Sequence, residues 1–102
     1  MIEAGDVFDF CYLDGGHTWA VTGFHFFLME HLIAPGGWLL FDDIRWSFAT
    51  STHKNKAWVQ NLTEEERTTC QVGKVWELLV KPHPGFFNFN EQHNWAWCQK
   101  RL

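Results

Sequence analysis

Three cysteines, three prolines and a single tyrosine are all that this chain of 102 residues offers of those types. Cys11, Cys70 and Cys98 form no CxxC pair, and an odd count without that spacing fits a reduced, intracellular protein. Long hydrophobic runs are also missing. Phe24 to Ile33 is interrupted by His25, Glu30 and His31 and falls far short of the ~20 residues that a membrane span needs. Basic charge is scarce: eight Lys and Arg against twelve Asp and Glu leave a net charge of −4. With no basic cluster to offset it, a protein that binds nucleic acid by neutralising phosphates is excluded. Met1 to Asp6 holds no positively charged segment and does not read as a secretory signal, so the expected location is cytoplasmic. No repeat, low-complexity tract or linker divides the chain, and residues 1–102 read as one domain.

Aromatic residues, by contrast, are in excess. Seven Trp and ten Phe are more than a small domain usually hides, so either the core is heavily aromatic or some rings meet a partner. Phe8-Asp9-Phe10-Cys11-Tyr12-Leu13 reads as a strand buried on both faces and ends at the turn signal Asp14-Gly15-Gly16. From Thr18 to Ala34 the spacing predicts a helix whose core stripe is Ala20, Phe24, Phe27, Leu28 and Leu32, stopped by Pro35-Gly36-Gly37. Trp38 to Phe41 is a second buried strand, closed by Asp42-Asp43. Strand, helix and strand make a βαβ unit with parallel strands. Arg45 to Lys56 is a polar loop, and Thr63-Glu64-Glu65-Glu66 is a capping box. Val72, Val75, Trp76, Leu79 and Val80 have helical spacing up to Pro82 and Pro84. Phe86–Phe89 and Trp95–Gln99 read as a closing antiparallel hairpin. The fold class is α/β.

Chemistry follows from the βαβ reading. Parallel strands joined by one crossover often pair directly, about 4.8 Å apart. Asp14 and the pair Asp42-Asp43 then share the carboxyl edge of the sheet, where open α/β folds bind ligands. Three converging carboxylates repel unless a cation joins them, and hard oxygen donors suit Mg²⁺ or Ca²⁺. The plainer alternative is that Asp14 starts a turn and Asp42 or Asp43 caps a helix. His17, in the same loop as Asp14, can act as a general base or cap the helix start. His25, His31, His53, His83 and His93 show no ligand spacing and read as structural or exposed. Trp19 and Trp46 flank the same edge, either walling a pocket or simply packing.

Phe8 to Ile44, FDFCYLDGGHTWAVTGFHFFLMEHLIAPGGWLLFDDI, resembles the class I S-adenosylmethionine-dependent methyltransferases, especially methyltransferase family 24. The matching residues are Leu13-Asp14-Gly15-Gly16-His17, Ile33-Ala34-Pro35-Gly36-Gly37 and Phe41-Asp42-Asp43-Ile44, with Asp42 to Ser47 extending the likeness. The resemblance implies a partial Rossmann-like fold holding four of the family's seven strands, its C-terminal half. It implies S-adenosylmethionine as cofactor, Asp14, Asp42 and Asp43 as ligands of Mg²⁺, and a small-molecule acceptor whose hydroxyl is methylated. Some relatives carry an acidic residue where Gly16 stands, which leaves His17 as the nearby base. The Gly-rich loop that holds most of the cofactor in the family has no counterpart here. The edge of the first strand is therefore expected to be covered by an N-terminal half, by a second copy of the chain, or by rearrangement. A non-catalytic, self-associating α/β domain that retains the Asp cluster is the alternative, and a small metal-dependent hydrolase a third.

Overall fold

The computed structural model describes residues 8–13 and 18–102. Four strands, β1 (Phe8–Leu13), β2 (Ile33–Phe41), β3 (Phe86–Gln92) and β4 (Trp95–Lys100), form one sheet in the order β1-β2-β4-β3. β1 and β2 are parallel, and β4 is antiparallel to both β2 and β3. Helix α1 (Trp19–Glu30) makes the crossover between the parallel strands. A single 3₁₀ turn (Phe48–Thr50) and the short helices α2 (Ala57–Gln60), α3 (Glu64–Thr68) and α4 (Gln71–Val75) follow β2, and α4 runs directly into a π-helical stretch (Trp76–Val80). The fold is the expected mixed α/β arrangement, with its βαβ unit, helical stretch and terminal hairpin.

The core lies between one face of the sheet and the helices α1 and α4. Cys11, Leu39, Phe41, Ala96 and Cys98 project from the strands onto Phe26 of α1 and Val72, Val75, Trp76 and Val80 of the α4 segment. Its rings meet at angles: Phe26 lies 6.2 Å from Phe41 and 5.5 Å from Phe86, and Trp76 lies 5.6 Å from Phe41 and 5.7 Å from Phe89. Tilted and edge-on pairs of this kind add to the area they bury. His83 packs edge-on to Phe26 and Phe86 and accepts the Gly85 N–H through Nδ1, the structural role expected of it. The capping box also forms, with Glu66 N donating to Thr63 Oγ1 and Thr63 N to Glu66 Oε1, both at 3.1 Å.

Three expectations need correction. First, β1 is covered on one face only: Cys11 is buried, whereas Phe8, Phe10 and Tyr12 on the opposite face are exposed, because α1 and α4 both pack on the Cys11 side. Second, the buried large apolar side chain of α1 is Phe26, at 0% exposure beside buried Thr22 and Gly23, while Phe24 is 66%, Phe27 50% and Leu28 44% exposed. The helix is apolar almost all the way round, so composition did not fix which stripe faces the sheet. Third, α1 ends at Glu30, ahead of Pro35-Gly36-Gly37. The chain reverses there, with Leu32 N donating to Met29 O, and the Leu32 carbonyl is taken by Phe8 N at 2.6 Å.

Pro35-Gly36-Gly37 instead bulges out of β2. Phe8 pairs with Ile33 and Phe10 with Trp38, so five steps of β2 oppose two of β1. Gly36 sits at φ +83, a conformation that glycine adopts without strain. A Cβ on Gly37 would meet Ile33 Cγ2 at 2.8 Å and Ala34 O at 2.9 Å. The bulge resets the register so that Leu13 pairs with Phe41, and both parallel strands finish level.

Candidate functional site

That level finish builds the site. Asp42 N donates to Leu13 O at 3.2 Å, so the acidic pair leaves β2 beside the last described residue of β1. The first premise of the sequence reading, a directly paired parallel β1–β2, is met. Asp14 and His17 lie outside the described residues. Among the described residues no three His, Cys, Asp or Glu side chains converge as a metal cluster.

Each carboxylate of the pair is oriented by neighbours. Asp42 Oδ1 accepts the Asp43 N–H at 2.8 Å, and Oδ2 accepts the Tyr12 hydroxyl at 2.6 Å. Tyr12 stands opposite Leu40 across the parallel pair, one position before the strand end, and so reaches the rim. Asp43 adopts φ 65, left-handed for a non-glycine residue. Its Oδ1 accepts the Asn94 carboxamide at 3.0 Å. Asn94 occupies the two-residue tip of the β3–β4 hairpin with His93, and Ile44 N donates to its carbonyl at 3.0 Å. A carboxylate offers about four lone-pair sites, so the bonds from Tyr12 and from the Asp43 N–H leave the Asp42 oxygens room for a further partner. Two adjacent hard-oxygen donors suit Mg²⁺ or Ca²⁺ better than zinc.

A second rim contact ties the hairpin to the helices. The Arg45 guanidinium donates to His93 O and lies 3.9 Å from Glu91. Glu91 Oε2 also receives the Lys81 ammonium at 3.0 Å and the Trp76 indole N–H at 3.2 Å. These two donors, Lys81 first, hold the Glu91 carboxyl below its usual range, while Glu77 and Glu91 raise the Lys81 ammonium.

Beside the N-terminus of α1, a cleft of about 340 Å³ opens between Thr18, Trp19, Phe48, Trp58, Leu62 and Lys74. That volume is within the range of small-molecule sites. Trp19 is anchored by its backbone N–H on Gln71 Oε1 (2.8 Å), and Lys74 Nζ lies 5.1 Å above its ring. Trp46 packs edge-to-face on Phe48 with centroids 4.7 Å apart, and Phe48 meets Trp58 the same way at 5.3 Å. Trp19 therefore walls a cleft as one of its two readings held, and Trp46 backs a wall of it.

Sequence reasoning missed Tyr12, Asn94 and Gln71. The sequence marked Tyr12 only as a lone phenol in an apolar strand, a signal that names no partner. Asn94 and Gln71 gave none, since each acts on a segment far away in sequence.

No family model matches the chain, and no curated protein does. Solved structures do. MycE methyltransferase from the mycinamycin biosynthetic pathway, in complex with Mg and SAH, is similar with a TM-score of 0.58 and 18% identity, over 92% of this chain and 27% of that one. The same enzyme with Mg, SAH and mycinamycin VI gives 0.57 and 21%, over 92% and 26%. The chain thus spans about a quarter of the length of these structures, and the likeness shows a methyltransferase-like fold. Among the described residues, no helix is long and apolar enough to cross a membrane.

Proposed function

We propose that the chain forms the C-terminal part of an S-adenosylmethionine-dependent O-methyltransferase of the family 24 type, acting in the cytoplasm on a small hydroxylated acceptor with Mg²⁺. The observation that carries the reading is the Asp42-Asp43 pair leaving β2 level with the end of the parallel neighbour β1. Support comes from a fold shared with a methyltransferase whose structures hold Mg and SAH, one of them with a small molecule, mycinamycin VI.

In this reading Asp42 and Asp43, with Asp14, hold the ion, and the aromatic cleft beside Trp19 receives the acceptor. A divalent ion held there would supply acidification and orientation of the acceptor hydroxyl, and S-adenosylmethionine would supply the methyl group. His17 takes the hydroxyl proton as the acceptor oxygen forms its bond to the methyl carbon. Tyr12 fixes the orientation of Asp42 throughout. The exposed faces of β1 and α1, with Phe10, Tyr12, Phe24 and Phe27 at the surface, are then the ground on which an N-terminal half seats.

A calorimetric titration with Mg²⁺, repeated on Asp42→Ala, tests the reading. Binding abolished by the substitution supports it, and a chain that takes no Mg²⁺ refutes the metal assignment. A second reading rests on the same exposed rings: a non-catalytic domain whose β1 edge and α1 face meet a second copy. Light scattering that finds a stable dimer, together with no Mg²⁺ uptake, favours that alternative.

A further inference from the structure

Resting on the reading above, which seats the acceptor in the cleft beside Trp19, we infer that this cleft takes a flat aromatic ligand that carries a carboxylate, with Lys74 as the residue that selects for the charge. Three rings supply the apolar walls. Phe48 and Trp58 meet edge to face, 5.3 Å apart at 85°, and so form a corner, with Trp19 in the same lining. Trp58 is 52% exposed although it borders the cleft, and a ring of that size gains from a flat partner laid against it. The space, about 340 Å³, is near the lower end of small-molecule sites and suits a small ring system.

Most polar groups of the lining are already engaged within the chain. Thr18 Oγ1 accepts the Val21 N–H at 3.3 Å, Thr69 Oγ1 donates to Glu65 O at 2.6 Å, and Glu66 Oε1 accepts the Thr63 N–H at 3.1 Å. Gln71 engages both ends of its carboxamide, accepting the Trp19 N–H at 2.8 Å and donating to Glu66 O at 2.9 Å. Two charged side chains are left, Glu65 and Lys74. Glu65 stands in the first turn of α3, where the free N–H groups of the helix start offset its charge. Lys74 has no such counterpart. It follows Gln71 by three residues on the same face of α4, so the two side chains hold Trp19 together, one at the main chain and one at the ring. The Lys74 ammonium rests 5.1 Å from the ring centroid, and among the described residues no hydrogen bond or ion pair engages its three N–H donors. A carboxylate on a ring lying in the corner completes the ion pair with this ammonium, whereas an amine there would meet it as a like charge.

Benzoate, benzyl alcohol and benzylammonium serve as probes of similar shape and different charge, titrated into the full chain and followed by the indole N–H resonances of Trp19 and Trp58. Both signals should move with benzoate, which should bind about fivefold tighter than benzyl alcohol, the effect expected of a partly exposed ion pair. Lys74→Met should bring the two probes within about twofold of each other, and Lys74→Arg should restore the difference. If Lys74→Met does not fold, added salt takes its place: it should weaken benzoate toward benzyl alcohol and leave the alcohol unchanged. Benzoate within about twofold of benzyl alcohol in the wild type, a preference for benzylammonium, or a benzoate preference that survives both Lys74→Met and salt would each overturn the inference. Trp19 and Trp58 signals that no probe moves overturn it equally. Mg²⁺ uptake that is lost in Asp42→Ala, with no benzoate bound, overturns this inference and leaves the metal reading intact. Benzoate bound by a chain that takes up no Mg²⁺ overturns the metal reading alone.

Discussion

Gly73→Ala separates two effects of opposite sign. Gly73 lies inside α4, where alanine is the better helix former by about 1 kcal/mol. If propensity decided, the variant would be the more stable protein. The structure opposes this: a Cβ at Gly73 would sit 2.3 Å from the Ile44 carbonyl oxygen, against 3.4 Å or more for an ordinary contact. The obstacle is backbone. Ile44 is pinned by its own N–H on Asn94, and the following Arg45 carbonyl accepts the Cys70 thiol at 3.3 Å. Relief therefore requires α4 and the rim to part by about 1 Å, at a cost near the upper end of the ~1–3 kcal/mol typical of overpacking. Subtracting the propensity gain leaves a net loss of about 2 kcal/mol. For a domain of this size that lowers Tm by roughly 8–16 °C. Thermal unfolding followed by near- and far-ultraviolet circular dichroism measures it, and amide exchange at Ile44 should accelerate beyond the global change. An unchanged or raised Tm would refute the close approach of α4 to the rim.

The corrected phase of α1 predicts that Phe26→Ala costs about 3–5 kcal/mol and Phe24→Ala less than about 0.5 kcal/mol in urea unfolding, and the reverse order would restore the original stripe. Glu91→Gln should lose up to about 1 kcal/mol at pH 7, the pair with Lys81 being partly exposed and screened. Because the Glu91 carboxyl is depressed in the folded state, its contribution is present above the unfolded value of about 4.3 and disappears as pH falls through the lower folded value. Unfolding curves of wild type and variant should therefore converge as pH falls through that lower folded value, and a gap that persists in stronger acid would count against the ion pair. Burial pushes the Cys98 thiol up to about 12 and raises Cys11 as well, whereas Cys70 is half-exposed. A disulfide reagent at pH 8 should modify one thiol quickly and two only on unfolding. Three fast thiols would contradict the packing of β1 and β4.

Much of the architecture was legible because its signals are local. The runs Phe8–Leu13 and Trp38–Phe41, the capping box at Thr63 and the two aromatic stretches of the hairpin each carry their pattern within a few residues. The direct pairing of β1 with β2 then followed from the short crossover. The errors arose where composition was degenerate. Trp19 to Met29 offers apolar side chains in nearly every direction, so Phe26 had no advantage over Phe24 or Phe27 until the sheet was in place. Pro35-Gly36-Gly37 looks like a helix stop because proline and glycine end helices, but the same flexibility suits a bulge inside a strand. At the rim, Asp42 and Asp43 could be read as acidic residues at a strand end. Tyr12 and Asn94, which aim those carboxylates, could not, since their partners depend on register and on a hairpin far along the chain.

The order β1-β2-β4-β3 has a consequence for how the protein is made. The first two strands and their crossover helix emerge together from the ribosome and can associate early. The strand that completes the other side of β2 is synthesised last among the four. Until Ala96 to Gln99 have been added, β2 presents an open hydrogen-bonding edge beside Trp38 and Leu40, a template for unwanted pairing. Translation of the helical segment between them is therefore the interval in which this chain most needs a chaperone, and the acidic rim acquires its final fastening only when that interval closes.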